Sequence, residues 1–258
     1  MLDGKISKVE RIVELVSNSG KKEQFRVGDT VDAGYEILDP LNGEEILKKI
    51  ERVARVCYKS EDKITEGSAE KMVRALIKSN HMAMLEHYSF SVKFICDRGV
   101  SHEIVRHRVA SYAQESTRYC NYNKSGDVAF IRPVFFADDT PEMDNWVDSC
   151  MRAEKTYNYL ISEGRTPQEA RSVLPNSLKT EVVMTANLRE WRYFLSLRAC
   201  GSTGKPHPQM LEVAVPLLKE LREREYLWYL MIWSLWSGKQ LNSKRPIRGC
   251  IEISGCCM

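Results

Sequence analysis

Long hydrophobic runs are missing from this sequence: no window reaches the roughly 18 uninterrupted apolar residues of a membrane-spanning helix. The opening Met1-Leu2-Asp3-Gly4-Lys5, followed by Lys8, Glu10 and Arg11, lacks the apolar core of a secretory signal, so a cytoplasmic protein with no membrane partner is expected. Paired cysteines are missing too. The eight cysteines form no C-x-x-C, and a chain of 258 residues with a real core needs no disulfide staples, so reduced thiols are expected, with Cys256-Cys257 a frayed end. A surplus of one charge is absent: 38 Lys and Arg against 35 Asp and Glu leave a net charge of +3. That balance argues against a bulk nucleic-acid binder and makes any basic character local. Neither G-x-G-x-x-G nor G-x-x-x-x-G-K-[ST] occurs, so side chains rather than a glycine cradle would have to hold a phosphate. The zinc helix motif is also missed. His81 and His87 flank Glu86 at the wrong spacing, and after His102-Glu103 the second histidine position holds Arg106, so no metal is expected.

What is present supports a sizeable core: 43% hydrophobic residues, with five Trp and eleven Tyr. Nothing marks a seam, so one domain over residues 1–258 is expected, residues 1–40 being an N-terminal extension of mixed polarity. In that extension Val9, Ile12, Val13 and Val16 suggest a short element and 20–34 a loop or hairpin. Asn42 can cap a helix from Gly43, with Glu44 and Glu45 in its first turn and Ile46, Ile50, Val53 and Cys57 at helical spacing. A second helix is expected from Ser68 to about Lys78, ending near Asn80. Tyr88 to Phe94 alternates as a strand, and so does Leu178 to Ala186. Between them the pattern predicts a helix over 98–109, then turns at 119–123 and 125–127. A long helix follows, opened by Thr140-Pro141 and closed by Gly164, and then a short one with the capping box Thr166…Glu169, stopped by Pro175. Asn187 caps another helix, with Glu190 at its third position and Trp191, Leu195 and Arg198 on one stripe. A final helical stretch runs from Gln209 to Trp236, with Pro216 in its first part.

The most unusual stretch is Arg106-His107-Arg108-Val109-Ala110-Ser111-Tyr112-Ala113-Gln114-Glu115-Ser116-Thr117-Arg118-Tyr119. On a helix, three consecutive residues fan through about 200°. No solvent stripe holds Arg106, His107 and Arg108 while Val105 and Val109 stay buried. Together with Arg171, Arg189 and Arg198, these arginines suit a phosphate dianion and the planar edge of a base. For Arg198, on an apolar stripe, a buried ion pair with a distant carboxylate and a site arginine are equally open readings. A nucleic-acid module stacking bases on Tyr112 or Tyr119 is the alternative, disfavoured by the balanced charge and the dispersed arginines.

Arg106-His107-Arg108, Ser111, Ser116, Arg118 and Tyr119 match R-H-R-x-x-S-x-x-x-x-S-x-R-Y, and the chain here resembles the flavin-dependent thymidylate synthases. Flanking blocks agree in order over roughly 45 to 235: His81…Glu86-His87, Glu169-Ala170-Arg171…Leu174-Pro175, Asn187-Leu188-Arg189 and Phe194-Leu195-x-Leu197-Arg198. The resemblance implies methylation of dUMP to dTMP, with 5,10-methylenetetrahydrofolate as carbon donor and NADPH reducing bound FAD. It implies a homotetramer with active sites between subunits. By the same analogy Arg106, His107 and Arg108 hold the flavin nucleotide with Gln114, Asn187, Leu188 and Arg189, and His81 lies near the flavin and folate rings. Glu103, Arg106, Gln114, Glu115, Ser116, Thr117, Arg118 and Arg171 surround dUMP, while Arg198 contacts the uracil and is the catalytic residue.

That assignment agrees with the chemistry of the residues. A cysteine route would need an activated thiol, which the sequence does not point to, whereas in a flavin route the cofactor carries the redox step and the protein supplies position and charge. An arginine at the uracil edge stabilises charge developing on the ring. The chain departs from the family pattern at Ala83, where a hydroxyl is usual, at Ala113, at Tyr193, and in a longer loop over 201–207. The expected fold is α+β: a mainly antiparallel sheet packed with helices, plus a long helical C-terminal part.

Overall fold

The computed structural model describes residues 12–16, 22–26, 30–122 and 128–224. Helices alternate with an antiparallel sheet, an α+β architecture. Strand β1 (Ile12–Val16) pairs antiparallel with β2 (Lys22–Arg26), Ile12 opposite Arg26, so the early segment contains a hairpin. Strand β3 (Thr30–Val31) pairs parallel with β7 (Phe130–Ile131). The main sheet has four strands in the order β4 (Gly34–Ile37), β5 (Ser89–Asp97), β8 (Lys179–Asn187) and β6 (Ala110–Gln114). The chain divides into two compact units, one of 1–34, 94–105 and 113–182, the other of 35–93, 106–112 and 183–258.

The two expected strands form because their alternation buries one face. Phe90, Val92, Phe94 and Cys96 are buried along β5, and Thr180, Val182, Met184 and Ala186 along β8. In the second unit Trp191 stacks on Phe90 with ring centroids 4.8 Å apart, and Phe194 meets Trp191 edge-on at 5.6 Å. Each such pair contributes about 0.5–1.5 kcal/mol beyond area burial. The indole N–H donates to the Phe90 carbonyl at 3.1 Å, satisfying the one polar atom of the cluster. This core fixes the carboxyl-terminal helix of the site, α6 (Leu188–Arg198). In the first unit Tyr122, Val128, Phe130, Cys150, Tyr157, Ala170 and Leu178 form the core.

Helix caps follow the sequence closely. Helix α1 (Gly43–Val56) starts where Asn42 Oδ1 accepts from the Glu45 N–H, and α2 spans Ser68–Lys78 with Asn80 just beyond it at a positive φ of 58°. The buried face of α1 differs from expectation: Ile46, Leu47, Ile50, Glu51 and Ala54 are buried, while Cys57 is exposed beyond the last turn. Helix α4 (Pro141–Ser162) begins at the Thr140 cap, and Gly164, at φ 80°, closes it through its N–H to Ile161 at 3.0 Å. Thr166 and Glu169 form the capping box of α5 (Pro167–Ala170), and a 3-10 turn over Arg171–Val173 precedes Pro175.

Two expectations are revised. The helix expected over 98–109 ends early: α3 covers Arg98–Ile104, and the chain turns out at 105–106 before entering β6. The Tyr112 hydroxyl donates to the His107 carbonyl at 2.7 Å, so that carbonyl serves a bend instead of a helical ladder. Val109, expected inside, is 65% exposed. The last helix, α7, spans Pro208–Glu223 with Pro216 inside it. The remainder of that stretch, 225–236, lies outside the described residues, as do Val9, the 125–127 turn and Cys256-Cys257. No helix among the described residues is long and apolar enough to cross a membrane.

Candidate active site

The bend after α3 resolves the crowding of Arg106-His107-Arg108. Leaving the helix lets one residue of the three turn inward: His107 is buried, while Arg106 and Arg108 are exposed. The imidazole uses both nitrogens. Its Nδ1 lies 2.9 Å from Glu190 Oε1, and its Nε2 accepts from Arg198 Nε at 3.3 Å. Glu190 is itself placed by the start of α6, where its N–H donates to the Asn187 cap at 2.9 Å. Phe194 and Tyr193 meet the imidazole with ring centroids 5.0 and 5.5 Å away. Burial lowers the His107 pKa, Glu190 partly opposes that, and the Arg198 charge lowers it further. The Arg198 guanidinium is linked through the imidazole to the Glu190 carboxylate, which joins the site arginine to a distant buried acid.

The other residues expected in this unit lie around the same helix start. Leu188 is fully buried and its N–H donates to the Tyr88 carbonyl at 3.0 Å. Arg189 is exposed and pairs with Glu86 Oε1 at 2.5 Å. His81 is exposed at the head of the 3-10 turn Met82–His87, its N–H bonded to the Leu76 carbonyl at 2.8 Å. His81 and Arg189 line one cavity of 360 Å³, together with Cys57, Tyr58, Met82, Ala83 and Met84.

The second group belongs to the other unit, which the chain enters after Tyr112. Gln114 donates its amide to Ser101 Oγ at 2.9 Å and to Thr180 Oγ1 at 3.3 Å. Glu115 is anchored on three sides: its carboxylate accepts from the Tyr122 hydroxyl at 2.7 Å and Lys179 Nζ at 3.4 Å, and its N–H donates to the Glu181 carbonyl at 2.9 Å. Ser116 starts a turn, its carbonyl accepting from the N–H groups of Tyr119 and Cys120. Thr117 is buried and accepts from Arg171 Nη1 at 3.0 Å, and the exposed Arg118 donates to Gln168 Oε1 at 3.1 Å. Glu103 is half-buried near the end of α3. Two hydroxyl donors, Ser116 and Thr117, on a tight turn backed by two arginines suit an anion.

Several participants were not foreseen as site residues. Glu190 reads in the sequence as a helix-cap position, and Tyr122, Lys179, Thr180 and Ser101 carry no local signal at all. Their partners lie 83, 7, 64, 66 and 13 residues away, so only the fold brings them together. The five described cysteines are free. Burial pushes the Cys150 thiol up to about 11 and the Cys96 thiol higher still, so neither supplies a thiolate at neutral pH.

Comparison with known proteins identifies the family. The family described as "Thymidylate synthase complementing protein" matches residues 41–224. A flavin-dependent thymidylate synthase of Pyrococcus abyssi is 31% identical over 176 residues, 67% of this chain and 70% of its own length. One from Pyrococcus horikoshii is 32% identical over 67% of this chain and 71% of its own length, and one from Geobacter sulfurreducens 34% identical over 57% and 66%. The match runs from α1 to the end of α7 and includes every residue of both groups, so the chain belongs to the thymidylate synthase complementing protein family, the flavin-dependent thymidylate synthases.

Proposed function

We propose that the chain, acting as one catalytic domain over residues 1–258, converts dUMP to dTMP by reductive methylation. Residues 1–40 are an N-terminal extension, the enzyme is a homotetramer with active sites at subunit interfaces, and it works in the cytoplasm. The carbon comes from 5,10-methylenetetrahydrofolate. Reducing that carbon from the methylene to the methyl level takes two electrons, which NADPH delivers through FAD, so the folate leaves as tetrahydrofolate.

The residues fit a flavin nucleotide. The cavity beside Arg189 and His81 has mainly apolar walls suited to a flat ring, and the exposed Arg106, Arg108 and Arg189 are suited to a diphosphate. Arg106, His107, Arg108, Gln114, Asn187, Leu188, Arg189 and His81 hold FAD in this reading, which supplies hydride chemistry when bound. His107 and Leu188 contribute through the backbone and packing, since the His107 ring nitrogens are engaged and Leu188 is buried. Glu103, Arg106, Gln114, Glu115, Ser116, Thr117, Arg118 and Arg171 bind dUMP. The Arg171–Thr117 and Arg118–Gln168 hydrogen bonds hold the turn in shape for an anion. Arg198 is the catalytic residue, placing positive charge at the uracil edge as negative charge develops on the ring.

The observation that carries this reading is the half-buried Arg198 guanidinium, held at Nε by an imidazole in an aromatic cluster. Such a fixed cation activates a heterocycle without covalent attack, which agrees with the raised thiols of Cys96 and Cys150. The test is tritium release from 5-tritiated dUMP with FAD, NADPH and methylenetetrahydrofolate, comparing wild type with Arg198→Ala. Release by wild type and its loss in the variant are expected. Full release in the variant would remove Arg198 from the chemistry, and purified protein without flavin bands after FAD addition would overturn the whole reading.

A further inference from the structure

The hydrogen bonds around His107 carry more than packing. Arginine stays protonated and its Nε has a proton to give and no lone pair to offer. The 3.3 Å contact therefore makes Nε2 of His107 the acceptor, and the ring proton must sit on Nδ1, donated to Glu190 Oε1 at 2.9 Å. We propose that His107 is a positioning residue, fixed by Glu190 as the Nδ1–H tautomer so that Nε2 sets the plane of the Arg198 guanidinium for the uracil. The inference rests on the proposed role of Arg198 and deepens it.

Three observations support a device for orientation. The carboxylate and the imidazole are both buried, 8% and 3% exposed, and the carboxylate is anchored from its own helix start by the Asn187 cap. Glu190 and Arg198 lie at opposite ends of α6, and His107, 83 residues before Glu190, joins them. A long flexible arginine is thereby held at Nε, the atom that leaves the two terminal nitrogens at the far end of the fork. Among the described residues, the charged and titratable groups around the imidazole are Glu190, Arg198 and Tyr193 from α6, and Tyr112 from β6, whose hydroxyl holds the His107 carbonyl. Protonation of Nε2 would replace an acceptor by a donor facing another donor and release Arg198. Burial lowers the pKa of His107, which keeps the acceptor available at neutral pH.

The test uses the FAD-loaded full-length enzyme with 15N-labelled histidine. His107 is one of five histidines and is assigned by its disappearance in His107→Gln. The expected signature is a proton on Nδ1 and a bare Nε2, persisting as the pH falls below about 6.5, the value of an unperturbed imidazole. Glu190→Gln should weaken the tautomer preference and lower kcat on the order of 10²-fold through misplacement of the guanidinium, with a smaller change in KM for dUMP. His107→Gln combined with Arg198→Ala should be no slower than Arg198→Ala alone, because both changes remove one unit. A protonated Nε2 in wild type at neutral pH, titration of His107 near the unperturbed value of about 6.5, or losses that multiply in the double variant would each overturn the positioning role. Wild type with the Nδ1–H signal and no thymidylate formation would instead overturn the functional reading and leave the orientation of Arg198 standing.

Discussion

Tyr122→Phe isolates the anchor of the turn proposed to bind dUMP. The tyrosine is 9% exposed, its ring lies 5.9 Å from that of Tyr157, and its hydroxyl donates to Glu115 Oε1 at 2.7 Å. Burial first, and the Glu115 carboxylate second, raise the phenol pKa, so the donor proton stays in place across the working pH range. Phenylalanine keeps the ring and removes that one charge-assisted bond. Hydrogen bonds to charged groups contribute about 1.5–3 kcal/mol. Glu115 keeps Lys179 at 3.4 Å and its backbone bond to Glu181, which puts the expected loss at the lower end, about 1.5 kcal/mol. For a chain of this size that lowers Tm by about 3–6 °C. Ser116, Thr117 and Arg118 follow directly on Glu115, so KM for dUMP should rise several-fold while kcat changes little. Thermal melting and initial-rate kinetics on the same preparation read both effects. A Tm within 1 °C of wild type with an unchanged KM would show that the anchor holds nothing.

Three further outcomes are expected. Thr140→Ala removes the cap that accepts from the Met143 N–H at 3.3 Å, costing about 1 kcal/mol; kcat and KM should stay unchanged, and a shift in KM for dUMP would contradict the site assignment. His107 has a folded pKa below its unfolded value near 6.5, so its contribution to stability is complete above about 6.5 and lost as pH falls through the folded pKa. The Tm gap between wild type and His107→Gln should therefore narrow from pH 7.5 to pH 5, and a constant gap would refute the lowered pKa. In the native protein a thiol reagent followed by peptide mapping should label the exposed Cys57 well before Cys96 or Cys150, whose thiols burial holds protonated; early labelling of Cys96 would contradict its burial in β5.

Much of the local structure is legible in the chain because short-range physics decides it. Asn42, Thr140, Thr166 and Asn187 each mark a helix start, and β5 and β8 announce themselves by alternation. The arginine-rich stretch could be recognised as too crowded for one helix face, but not how the crowding is relieved. That depends on the chain leaving α3 at Ile104 and turning His107 alone inward, toward a carboxylate supplied by a later helix. Cys57 illustrates the opposite error: helical spacing placed it inside, yet α1 ends at Val56 and leaves it exposed.

The sequence by itself determined the helix starts with their caps, the two long strands and the set of arginines, but not the short strands β3, β4, β6 and β7, since propensity, capping and periodicity act over a few residues. Its motif spacing was enough to place the chain in its family. Only the tertiary structure decided what each charged group does. That Arg198 reaches the buried His107–Glu190 pair, and that Glu115 is braced by Tyr122 and Lys179, depends on pairings up to 91 residues apart. Those pairings form because a buried polar group must find a partner, and the fold determines which one is within reach.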